Sequence, residues 1–208
     1  MDYPHWDPPY LGGGMLIGII AVLHVFVSHF AVGGGLFLAL TERRAAQLGD
    51  AGLLSYVRTH SKFFLLLTVV FGAVSGVGIW FVIALVHPAA TSMLIHTFAF
   101  GWAIEWCFFV VEIAAILIYY ATWDRLDRHS HNLMAWIYFI AAFASLLVIN
   151  GMLSFMLTPG KWLETRSFWH GFFNPSYLPS VIVRTAVTLA LAGVYAMFTG
   201  ARESDDVK

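Results

Sequence analysis

A chain of 208 residues that is 60% hydrophobic and only 11% charged is not a soluble monomer, in which roughly a quarter of the residues carry charge. A net charge of −1 without any basic cluster excludes nucleic acid as a partner. The one cysteine, Cys107, leaves no disulfide framework and no thiol pair for covalent cofactor attachment.

Apolar runs at 11–40, 62–87, 93–121, 132–157 and 177–199 fill about two-thirds of the chain, and each exceeds the ~20 residues that cross a hydrocarbon core. None alternates as a barrel strand would. The expectation is an all-α integral membrane bundle of five transmembrane helices forming a single membrane domain, residues 1–208. The first run is too long for a signal-peptide core and no basic segment precedes it, since Asp2 and Asp7 are the only charges up to Gly14. It reads as a retained helix.

The first span carries His24 and His29, about 15 and 22 Å along a helix that begins near Gly14. Five residues of helix turn them to faces about 140° apart, so they cannot ligate one metal. A neutral imidazole on an apolar helix suits an axial ligand of haem iron, and it equally suits a hydrogen-bonded helix contact. His24 is the stronger candidate. Gly14 and Gly18, Gly33 to Gly35, and Gly72, Gly76 and Gly78 permit close helix approach, either as ordinary packing or as room for a flat cofactor. His87 and His96 bracket the turn HPAATSMLIH between the second and third spans, as a haem pair or as interfacial side chains.

In the third span Glu105 and Glu112 lie seven residues apart, on one helix face and about 10 Å apart along the axis. Trp102 and Phe109 share that stripe. Two carboxylates in line inside a membrane read as stations of a proton relay, or as neutral acids bonded to neighbouring helices. In the fourth span Asn150 reads as packing or as part of a polar cluster. The segment 158–176, rich in Trp, Phe and Pro, is expected to lie along the interface as an aromatic belt. In the fifth span Arg184 cannot be deprotonated and needs a counter-charge, Glu105 or a haem propionate. His60, His129 and His131, and His5 and His170 at the other side, read as solvated boundary residues.

With the N-terminus outside, the inner segments hold Arg43, Arg44, Arg58, Lys62, Arg125, Arg128, Arg202 and Lys208, against Lys161 and Arg166 outside. The bias predicts N-out, C-in.

The segments LHVFVSHFAVGGGLFLALTER, KFFLLLTVVFGAVSGVG, AIEWCFFVVE followed by WDRL, and NGMLSFMLTP resemble the first four helices of cytochrome bd oxidase subunit I. The similarity spans about residues 15–160, with a weaker match over 177–199. The resemblance implies an N-out helical bundle in a prokaryotic plasma membrane that works with other integral subunits in membrane lipid. It implies haem b, with haem d as a further option, with His24 on the position of an axial iron ligand. Family carboxylates assigned to proton delivery and the haem environment fall on Glu105 and, after a one-residue spacing change, on Glu112. The family's fifth helix supplies a histidine to a low-spin haem, and here VIVRTAV places Arg184 there. The helices bearing the remaining ligands and the quinol-binding loop have no counterpart, so the expectation is a truncated or divergent relative. Its missing ligands would come from another subunit or from His29, His87 or His96, and its donor would be a cytochrome c or an Fe–S or cytochrome subunit. The alternatives are a haem electron conduit or quinone-reactive anchor without oxygen reduction, and a haem-free scaffold or proton-coupled transporter subunit.

Overall fold

The computed structural model describes residues 5–203. Asp2 and Lys208, which entered the leader and charge-bias readings, lie outside the described residues. The described chain is helical: α1 Gly13–Leu48, α2 Ala51–Leu65, a wider π-helical stretch Leu66–Gly72, α3 Ala73–Val86, α4 Pro88–Thr97, α5 Ala99–Ala121, α6 Arg128–Leu157, α7 Trp162–Thr165, α8 Phe168–Phe172 and α9 Tyr177–Gly200. Helix α2, the π stretch and α3 run on as one rod, so five helical rods are long and apolar enough to cross a membrane.

Their ends follow local chemistry. Helix α1 stops at Gly49, whose φ of 65° is a left-handed conformation natural to glycine. Asp50 then caps α2 by accepting the Leu53 amide at 2.9 Å, and Asp127 caps α6 by accepting the amides of His129 and Ser130. Pro88 opens α4 at a first-turn position that lacks an intrahelical partner for an amide anyway.

Two expectations about boundaries need correction. The run 93–121 is not one span: the backbone breaks at Phe98, with φ −119° and ψ 32°, so Met93 to Thr97 belong to the separate helix α4. The first two spans are longer than their apolar runs, because α1 extends to Leu48 and α2 starts at Ala51. Charged flanks such as Glu42, Arg43 and Arg44 continue the helix beyond the apolar stretch.

The bundle has two unlike ends. At the basic end lie Arg43, Arg44, Arg58, Arg125 and Arg128, with Arg58 paired to Asp124. At the aromatic end α7 and α8 fold back. Segment 158–176 is therefore not a simple interfacial belt: Trp162, Phe172 and Asn174 are buried, and Phe172 and Trp162 pack with Phe98, Met152 and Phe155. Trp169 and Phe173 stay exposed.

Glycines set the helix spacing on α1. A Cβ on Gly33 would run into the Thr188 carbonyl of α9, one on Gly34 into the Phe64 ring, and one on Gly35 into the Tyr138 ring. Three successive residues thus admit three different helices. Gly14 and Gly18 meet nothing within 4 Å, so no helix among the described residues packs closely against that pair. The larger core, with Phe30, Leu38, Tyr56, Phe64, Ile116, Tyr119 and Tyr138, fills the half of the bundle toward the basic end.

Candidate cofactor and proton site

His24 projects from α1 onto α3. Its Nδ1 lies 3.0 Å from Ser75 Oγ, and that hydroxyl is 2.7 Å from the Phe71 carbonyl. A serine has one proton, and the carbonyl can only accept it, so the hydroxyl accepts from His24 Nδ1–H. Nε2 then keeps its lone pair and has no partner among the described residues. Gly76 gives the ring its space, since a Cβ there would stand 3.1 Å from His24 Cε1.

His29 is buried, 5% exposed, and its Nδ1–H donates to the Val25 carbonyl at 2.7 Å. Its Nε2 is likewise left free. Both imidazoles therefore have one nitrogen anchored and the other available, the arrangement in which a protein holds an iron-ligating histidine. The donor set fits a haem.

His29 also lines a groove of about 500 Å³ with Val25, Ser180, Val183, Arg184 and Val187. Asn150 is fully buried and receives the Ser180 hydroxyl proton at 2.6 Å, while its amide donates to the Tyr177 carbonyl. Ser180 Oγ in turn accepts from Arg184 Nε at 3.3 Å. Asn150 thus joins a polar cluster as well as packing. Arg184 has no carboxylate within 4 Å among the described residues, so the expected pairing with Glu105 is not formed. Glu105 instead accepts from Ser145 Oγ at 3.3 Å.

Glu112 Oε1 is buried without a hydrogen-bond partner among the described residues. It shares its helix face with Glu105, as seven-residue spacing dictates, and with Tyr119, whose hydroxyl is the other buried side-chain atom left without a partner among the described residues.

His87 and His96 are exposed and stand at opposite ends of α4. His96 donates Nδ1–H to the Ser92 carbonyl at 2.7 Å. A helix of this length separates the two by about 13 Å along its axis.

His131 departs most from expectation. Far from being solvated, it is 0% exposed, as is Glu42, and its Nδ1 lies 2.5 Å from Glu42 Oε1. The signal for Glu42 was present in the sequence: it follows His24 by eighteen residues, five whole helical turns, and so shares its face. Ser75 and Ser145 carried no such signal.

Five rods long and apolar enough to cross a membrane define a multi-pass membrane protein. The chain belongs to the cytochrome bd terminal oxidase subunit I family, whose profile matches residues 15–203. It is accordingly a membrane subunit of respiratory oxidase type. No curated protein matches the chain.

Proposed function

We propose that this chain is a haem b-bearing subunit that carries electrons toward oxygen in a prokaryotic plasma membrane, with its N-terminus outside. The carrying observation is His24, deep in α1, with Nδ1–H anchored on Ser75 and Nε2 unpartnered. Bound haem supplies one-electron transfer and, at an iron with an open position, oxygen binding. His24 would hold the iron through Nε2, and Ser75 keeps the ring in that tautomer and orientation. His29 is the second ligand candidate. It lies in the groove with Arg184, where the guanidinium, held by Ser180, would receive a propionate.

Protons enter from the basic end. Glu112 holds one at its unpartnered Oε1 and passes it to Glu105, with the Ser145 hydroxyl bonded to Glu105 on that path. Partner subunits complete the haem environment and bring the electron donor, a cytochrome c or an Fe–S or cytochrome subunit. A dithionite-reduced minus oxidised spectrum of the intact complex, repeated with CO, tests this reading. Haem bands that shift with CO and fall by one haem in His24→Ala are expected. A His24→Ala complex with its full haem complement would overturn the ligand assignment, and haem bands without a CO shift would replace oxygen reduction by an electron conduit.

A further inference from the structure

Asn150 of α6 is 0% exposed, and both ends of its amide engage the first turn of α9. Nδ2 lies 3.0 Å from the Tyr177 carbonyl oxygen, and Oδ1 lies 2.6 Å from Ser180 Oγ. These contacts admit one set of hydrogens. A backbone carbonyl can only accept, so the amide turns its NH2 to Tyr177 and its oxygen to Ser180. That oxygen can also only accept, so the Ser180 hydroxyl gives its single proton to Asn150. Ser180 then has only lone pairs to offer its remaining neighbour, Arg184.

Arg184 stands one helical turn further along α9, on the same face as Ser180, with Nε 3.3 Å from Ser180 Oγ. A guanidinium has two places where a pair of N–H groups points the same way. The side-on pair comes from Nε and one Nη, and the end-on pair from the two Nη atoms. The bond to Ser180 occupies Nε–H and so takes the side-on pair out of use. The end-on pair remains, and neither Nη1 nor Nη2 has a partner among the described residues. The direction of every bond in this chain is thus set by the Tyr177 carbonyl, through Asn150 and Ser180, and its outcome is the edge that Arg184 keeps free.

An arginine inside a membrane span keeps its charge, and that charge is costly there unless an anion answers it. Asn150 and Ser180 are neutral, and no carboxylate of the described residues comes within 4 Å of Arg184. The groove beside the guanidinium is lined by His29 and Ser176 and otherwise by Val25, Pro179, Val183 and Val187. Its chemistry matches a largely apolar body that carries an acidic group.

We propose that Asn150 is the positioning residue of this groove: through Ser180 it holds Arg184 so that the end-on fork, and not the side-on one, meets the carboxylate of the ligand. The proposal rests on the reading above, in which that carboxylate is a haem propionate. A planar carboxylate takes two parallel bonds from such a fork, whereas a lysine ammonium at the same place supplies the charge without the fork. Charge alone is therefore insufficient, and the neutral pair Asn150 and Ser180 belongs to the site although neither residue carries the charge that binds.

The test reads the propionate bending band in the resonance Raman spectrum of the intact complex, a band whose position follows the hydrogen bonds of the carboxylate. The component that belongs to this groove is the one displaced in Arg184→Gln. Asn150→Ala, Ser180→Ala and Arg184→Lys are expected to reproduce most of that displacement, whereas Ser180→Thr, which keeps the hydroxyl, holds the wild-type position. Ser180→Ala cuts the link between Asn150 and Arg184, so it decides the matter even where Asn150→Ala fails to assemble. Wild-type bands in Asn150→Ala or Ser180→Ala, beside a displaced band in Arg184→Gln, overturn the positioning role and leave the propionate at Arg184. A wild-type band in Arg184→Lys overturns the end-on fork. A complex without haem, or one whose propionate bands ignore Arg184→Gln, overturns the reading of the groove and the positioning role with it.

Discussion

The Ser75 hydroxyl fixes the tautomer of His24 by accepting its Nδ1 proton at 3.0 Å while giving its own to the Phe71 carbonyl. One residue in α3 thus decides which nitrogen of a residue in α1 is available.

Ser75→Ala removes that acceptor and leaves the ring free to flip or change tautomer. A loss of an orienting partner of this kind costs about 10–100-fold in metal affinity. Haem retention of the purified complex during dilution should fall accordingly, whereas Ser75→Thr, which keeps the hydroxyl, should retain the pigment.

Gly33→Ala and Gly18→Ala form an opposed pair. The first places a methyl group against a backbone carbonyl of α9, which cannot rotate away, and overpacking of this kind costs about 1–3 kcal/mol. The second enters open space and gains up to about 1 kcal/mol of helix propensity. Thermal unfolding in detergent should therefore shift in opposite directions. Equal shifts would remove the argument that α1 and α9 touch at Gly33.

Glu42→Ala leaves His131 facing an emptied acceptor position, and breaking a buried ion pair from one side costs about 3–5 kcal/mol. Glu42→Gln can donate its amide N–H to the Nδ1 lone pair of the neutral ring, whose Nε2–H stays on the Tyr119 carbonyl, and should retain most of that stability. The difference in midpoint between the two variants, read by intrinsic fluorescence on heating, measures the hydrogen bond apart from the charge.

Asp127 gives a pH-dependent prediction. The hydroxyl and amide of Ser130, with the His129 amide, hold its carboxyl below the ordinary range. A lowered folded value means the cap stabilises α6 fully above the ordinary aspartate pKa of about 4. That contribution is lost as pH falls through the folded value. Asp127→Ala should melt earlier than wild type at pH 7, and the gap should close below pH of about 4. A gap that persists in strong acid would show that the carboxylate is not the cap.

Much of the fold was legible because membrane spans announce themselves by length and apolarity, as did the seven-residue stripe of Glu105 and Glu112. The break at Phe98 was not, since His96 and Thr97 before it and Gly101 after it are all compatible with an unbroken helix and neither a proline nor a glycine stands at the point itself. His131 was misplaced for a related reason. It sits three residues into α6 beside Arg128 and His129, and only the approach of α1 and α5 turns that boundary position into an interior one. Ser75 and Ser145 were invisible because a serine in a helix carries no sign of whether its hydroxyl faces lipid, its own backbone or a neighbour.

The approach of α1 to α9 at Gly33 and Thr188 joins the first rod to the last, and this orders events during synthesis. At about 5–20 residues per second, α9 leaves the ribosome roughly ten to thirty seconds after α1. Throughout that interval His29 has no Arg184 opposite it and no groove to line. A pigment that uses this groove would therefore be loaded only after α9 has been inserted, whereas the His24 and Ser75 contact is available as soon as α3 has been inserted.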